Sequence, residues 1–126
     1  MKLYRAPAEG RQVFAGYGAG YVEINERRHE RNVVVTAEGV SDWHVASFDR
    51  LSEADFESLR VLAPEIVILG TGRALRFPPP ALSQPLLSAR IGFEVMDTPA
   101  ACRTFNILTA EGRRVAAAIL VDSPVS

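Results

Sequence analysis

Cysteine and histidine are nearly missing from this chain of 126 residues, which has one of the former, Cys102, and two of the latter, His29 and His44. A lone thiol excludes an intramolecular disulfide, and no second cysteine stands at a zinc-binding spacing. The histidines have no metal-ligand spacing either, so no metal is expected. No serine, histidine and aspartate form a legible hydrolase triad. Surplus charge is lacking too. Lys plus Arg number 14 and Asp plus Glu 15, a net charge of −1, which gives no bulk attraction to nucleic acid or to an anionic membrane. Long hydrophobic runs are absent. The longest, Val115–Val121 and Glu65–Leu69, are strand-sized, and no membrane insertion is expected. The opening stretch MKLYRAPAEGR has no apolar signal core. Together with the unpaired cysteine, this points to a reducing, cytoplasmic setting.

What is present is a composition 48% hydrophobic, suited to one core in one domain. That domain spans residues 1–126, with a core over about 10–121 and a loose tail at 122–126. The first half reads as strands. Val13–Tyr17 leads into the flexible Gly18-Ala19-Gly20, and Tyr21–Asn25 alternates with Val22 and Ile24 on one face. Asn32–Thr36 is β-branched and follows a charged turn, Arg27–Arg31, so 21–25 and 32–36 read as a hairpin. Glu26 and Glu30 break up that basic run, which makes it a solvated face rather than a phosphate patch. Val40–Val45 reads as a further short strand, with Trp43 in the core.

The second half alternates. Ser52-Glu53-Ala54-Asp55 resembles a capping box with Asp in the Glu role. Phe56, Leu59 and Leu62 recur at helical spacing, and Pro64 ends the helix. Ile66–Leu69 contains no polar residue, the pattern of a strand covered on both faces. Arg76–Pro80 is held extended by three prolines. Ser83–Arg90 reads as a helix with Leu86 and Leu87 inward, and Ile91–Met96 as a strand. Thr98-Pro99 predicts a helix start, a hydroxyl cap followed by proline at the first helical position. Phe105 and Leu108 face inward, Gly112 stops the helix, and Arg114–Val121 is a final strand. The fold class is therefore α/β, bordering on α+β. A β-rich N-terminal half precedes a β-α-β-α-β C-terminal half with parallel strands.

Four segments carry a family resemblance: PEIVILGTG (Pro64–Gly72), RFPPP (Arg76–Pro80), GFEVMDTPAACRTFNIL (Gly92–Leu108) and EGRRVAAAIL (Glu111–Leu120). They resemble a family of small domains that includes the mitochondrial complex I (NADH:ubiquinone oxidoreductase) assembly factor three and the adipogenesis-associated Mth-type domain protein, with many bacterial members. The strand-rich first half also fits. The resemblance implies a layered α/β domain with a β-rich part resembling a hammerhead. It implies no particular reaction, since fold likeness is a weak warrant for chemistry. The function expected is that of a non-catalytic, assembly-factor-like domain that binds protein partners.

The chemistry-bearing candidates gather where strands should end. Gly70-Thr71-Gly72 is a GxG turn after strand 66–69. A dinucleotide fingerprint needs a third glycine and an immediate helix. Here Arg73-Ala74-Leu75-Arg76 and three prolines follow, so no nucleotide or other cofactor is expected. Parallel sheets nevertheless collect ligands beyond the carboxyl ends of their strands. Gly70, Thr71 and Gly72 should share a rim with Asp97 and Thr98, where a helix N-terminus offers N–H groups to a small anion. Arg73 or Arg76 would be in reach. The competing reading is that Asp97 or Thr98 caps the helix and binds nothing. Cys102, in the first turn, is either activated by the helix end or a buried, inert small residue. Phe77, Pro78 and Leu82 form a candidate partner surface stiffened by proline. Asn106, if buried, needs a hydrogen-bonding partner. The alternative to the protein-binding reading is thus a small-molecule or anion binder, or a minor enzyme, at the Gly70–Gly72/Thr98 corner.

Overall fold

Strand β1 (Phe14–Gly18) turns through Ala19 and Gly20 into β2 (Tyr21–Ile24), and the two pair antiparallel. The alternation in β2 buries Val22 and Ile24 beside Phe14 and leaves Tyr21 and Glu23 half-exposed. The chain then departs from expectation. The charged stretch is itself a strand, β3 (Arg27–His29), which pairs with β2 across a two-residue bend at Asn25 and Glu26. Asn25 takes φ +56° there, a conformation that asparagine tolerates better than other non-glycine residues. β4 (Val33–Thr36) therefore does not pair with β2. It joins β5 (Gly39–Asp42) and the C-terminal strand β8 (Val115–Leu120), both antiparallel, in a second sheet.

The computed structural model describes residues 11–122, and positions 123–126 of the expected tail lie outside the described residues. Within it the second sheet has the order β5-β4-β8-β6-β7. β6 (Ile66–Thr71) runs parallel to both β8 and β7 (Gly92–Met96), so the parallel pairing predicted for the second half is present. Helices α1 (Glu53–Arg60) and α2 (Gln84–Ser88) cover one face, and α3 (Thr98–Ala110) covers the other. Among the described residues the architecture is a mixed α/β domain with two sheets and three helices. Helix α2 is shorter than predicted. A turn of 3-10 helix at Pro80–Ser83 precedes it, and Leu86 is buried while Leu87 is exposed.

Each face of the five-stranded sheet has its own core. Val67, Leu69, Ala116, Ala118 and Leu120 point toward α1 and α2, where they meet Phe56, Leu59, Leu86 and Trp43. Ile68, Ala117 and Ile119 point the other way, toward Phe105 of α3 and toward Phe14, Val22 and Ile24 of the small sheet. This two-sided burial accounts for the unbroken apolarity of β6 and β8. The indole N–H of Trp43 is buried and has no hydrogen-bond partner among the described residues.

The backbone of the small sheet is tied to α3 by the Asn106 side chain, and Arg103 donates to the Tyr17 hydroxyl at 3.1 Å. Asn106 Oδ1 accepts from the Phe14 N–H at 2.9 Å, and its Nδ2 donates to the Phe14 carbonyl at 2.8 Å. Beside this clamp the Phe14 and Phe105 rings meet edge to face, centroids 5.4 Å apart. Asn106→Ala strips both partners from a half-buried backbone, and a loss of about 1–3 kcal/mol is expected, read from the urea midpoint at unchanged slope.

Candidate functional site

β6, β7 and β8 end side by side and run in the same direction, so residues after Thr71, Met96 and Leu120 share one rim. From this rim the chain leaves β6 on the α2 face and β7 on the α3 face. Such a divergence opens a crevice in many α/β sheets. Here the crevice is stitched shut. The Thr98 hydroxyl accepts from the Gly72 N–H at 2.9 Å and donates to the Leu120 carbonyl at 2.7 Å. The Thr98 N–H donates to the Gly72 carbonyl at 2.8 Å. Fully buried Thr71 donates its hydroxyl to the Ala74 carbonyl at 2.7 Å and accepts from the Arg76 N–H at 3.2 Å. Gly70 lets the start of α3 lie against β6, since a Cβ there would stand 3.0 Å from Thr98 Oγ1 and 3.1 Å from Ala101 Cβ.

The N-terminus of α3 differs from the expected anion site. Asp97, not Thr98, is the N-cap, and its Oδ1 accepts from the Ala100 N–H at 2.9 Å. Proline occupies position 99, and the Ala101 N–H donates to the Asp97 carbonyl at 2.9 Å. With the Thr98 N–H on Gly72, every amide of the first turn is engaged or absent, and none is free for a ligand.

An anion does sit at the glycine bend, and the chain supplies it. Gly72 has φ +92°, and a Cβ there would stand 2.5 Å from Asp122 Oδ1. The Asp122 carboxylate accepts from the Arg73 N–H at 2.7 Å and lies 3.6 Å from Arg73 Nε and 3.9 Å from Arg76 Nη2. Arg76 is held in turn by donation to the Thr71 carbonyl at 2.8 Å, with its guanidinium over the Phe48 ring at 4.6 Å. Asp122 stands between two hollows. One, of about 170 Å³, lies between the β1–β2 turn and the rim and is lined by Tyr17, Tyr21, Thr98 and Pro99. The other, of about 220 Å³, is lined by Asn32, Ser47, Phe48 and Arg76. Asp122 escapes a sequence reading because it follows the last strand and resembles a tail residue.

The remaining candidates separate. Cys102 is fully buried, and burial pushes its thiol up to about 12 despite the neighbouring Arg103. The activated-thiol reading therefore fails. On the proposed partner surface only Phe77 is displayed, at 70% exposure, while Pro78 is buried and Leu82 packs against the core below α1. Leu75, 52% exposed, is the apolar companion of Phe77 in that loop. His44 has a partner that the sequence did not reveal: its Nε2 lies 2.9 Å from Asp55 Oδ1, while Asp55 Oδ2 accepts from the Ser52 N–H and hydroxyl at 2.8 and 3.0 Å. The carboxylate lies between serine and histidine, so the imidazole cannot take the serine proton, and the trio fixes the start of α1 rather than activating a nucleophile. Among the described residues no group of three or more His, Cys, Asp or Glu could hold a metal, and no helix is long and apolar enough to cross a membrane.

Residues 14–120 match the family described as "Protein of unknown function (DUF498/DUF598)". The chain belongs to that family. It is 38% identical over 89 residues to the mouse protein named NADH dehydrogenase (ubiquinone) 1 alpha subcomplex assembly factor 3, a match covering 69% of this chain and 48% of the mouse protein. The chain spans about half the length of the curated relatives of that name from mouse and cattle. Among solved structures it is similar to a Bordetella parapertussis protein, with 40% identity, a TM-score of 0.85, and coverage of 92% of this chain and 100% of that one. A Bordetella pertussis protein described as a Mth938-like domain aligns with 34% identity and a TM-score of 0.82, covering 98% of this chain and 94% of that one. In a domain of this family, then, the rim joins strands and helices by hydrogen bonds that the chain supplies to itself.

The Cys102 environment makes a direct prediction. In the folded chain at neutral pH, iodoacetamide should label Cys102 at least about a hundredfold more slowly than in urea, because the thiolate fraction falls about tenfold for each unit the pKa rises. Mass spectrometry of timed samples checks it, and equal rates in the two conditions would contradict the buried, protonated thiol.

Proposed function

We propose that this chain is a protein-binding domain of assembly-factor type, working by docking rather than by turning over a substrate at its rim. The observation that carries this reading is its kinship with proteins named as complex I assembly factors. The docking element we assign is the loop Leu75–Phe77. Phe77 is among the most exposed large apolar side chains of the described residues, and it adjoins buried Pro78 and two further prolines. Their fixed φ angles display the ring with little chain entropy left to lose on binding. The engaged amides of the rim favour docking over ligand capture there. The reading includes a cytoplasmic setting, supported by the single unpaired cysteine.

The test is affinity capture of the full chain from its native cell, with co-purifying proteins quantified by mass spectrometry. Phe77→Asp should deplete the stable partners at least about tenfold, a loss of about 1.4 kcal/mol in affinity, at an unchanged melting temperature. Partners retained at wild-type levels would remove this loop from the reading.

A second reading is favoured by the carboxylate already held at Gly72. In it, a small anion competes with Asp122 for Arg73 and Arg76. Asp122→Asn should then bind inorganic phosphate at least about tenfold more tightly than the parent, as measured by calorimetry. Equal and negligible heats in both proteins would dispose of the competing anion.

A further inference from the structure

The two sheets have four edges, and the molecule treats three of them alike. The β1 edge is closed by Asn106, which takes both the N–H and the carbonyl of Phe14. β3 is three residues long and carries exposed Arg27 and Arg28, with Arg28 packed over Tyr21 and paired to Glu30. β5 is four residues long and ends on Asp42, which pairs with Arg31. Short length, charge and cover are the usual means of keeping a sheet edge from pairing with another chain.

Among the described residues β7 has neither cover nor basic charge, and its one charged residue is Glu94. The strand is five residues, Gly92-Phe93-Glu94-Val95-Met96, at the end of the five-stranded sheet, with no proline, lysine or arginine and a regular register against β6. The Gly92 N–H donates toward β6, to the Glu65 carbonyl at 2.9 Å. Successive residues of a strand alternate sides, so Phe93 and Val95 aim their N–H and carbonyl groups away from the sheet. Among the described residues no strand lies beyond them. The strand is firmly mounted: the Phe93 ring meets Phe56 edge to face at 5.4 Å, and Val95 packs on the same core. Between them Glu94 is exposed and has no charged partner among the described residues.

We propose that β7 is a strand-addition edge, which receives an extended segment of a partner protein in which a lysine or arginine is flanked by apolar residues. The backbone of that segment pairs with Phe93 and Val95, and its cation lies beside Glu94. A second copy of this chain is a poorer occupant, because antiparallel pairing centred on Glu94 would set two carboxylates opposite one another. The inference rests on the protein-binding reading above and assigns it a second contact, distinct from Phe77.

The probe is an end-capped synthetic hexapeptide alternating valine and lysine, added to the full chain. At about 1 mM peptide, amide exchange at Phe93 and Val95, followed by NMR, should slow at least about tenfold while Val40, whose amide points outward from β5, stays unchanged. The same peptide with glutamate in place of lysine should protect neither amide. Val95→Pro removes an outward donor without touching the β6 ladder and should abolish protection at Phe93. Glu94→Lys, a surface change, should transfer the preference to the glutamate peptide, and it decides alone if the proline variant fails to fold. Unchanged exchange at both amides, protection on β5 instead, or a charge preference that survives Glu94→Lys overturns the proposal. Native partners lost with Phe77→Asp but kept with Glu94→Lys would uphold the docking reading and overturn this one.

Discussion

The Thr98 hydroxyl is the joint on which the C-terminal half depends. It accepts from the turn after β6 and donates to the end of β8, while its own residue begins the helix that follows β7. One oxygen thus ties together the ends of three parallel strands. Valine has nearly the shape of threonine but could offer neither bond, and it would leave an amide and a carbonyl unpaired in a buried place. The two glycines serve the same joint. Gly70 lets the helix approach closely enough for the hydroxyl to reach, and Gly72 bends the chain so that its amide points back.

Because the joint is saturated internally, its own hydrogen-bonding groups are already engaged at the place where related architectures hold ligands. The charged groups around it follow the same pattern. Arg73 and Arg76 converge on Asp122, so the last described residue is pinned to the turn after β6 and lies between the two hollows. The two surfaces proposed for partners lie elsewhere, on the aromatic loop after the rim and on the far strand of the sheet, and each adjoins side chains packed in the core beneath α1 and α2.

The second half is legible in the sequence because its signals are local. An unbroken apolar run at 66–69, Thr98-Pro99, and Gly112 each define an element without outside help. The rim itself follows from parallel pairing alone. What is not legible depends on distant partners. Aspartate and threonine are both good helix caps, and the choice of Asp97 is settled by Gly72 and Leu120, which claim the threonine. The pairing of β3 with β2 turns on Asn25 adopting a conformation more often signalled by glycine. The partner of β4 is β8, most of a chain length away. Pro78 and Leu82 read as surface beside Phe77, and only the packing below α1 shows that the loop turns them inward.

Trp43, the sole tryptophan, sits with α1 and α2 on one face of the five-stranded sheet. The opposite face, with α3 and the small sheet, contains phenylalanine and tyrosine but no indole. Tryptophan emission therefore watches only half the molecule. A change in it reports loosening beneath α1, whereas detachment of the hairpin layer from α3 would leave it unmoved and has to be read from the tyrosines of that layer.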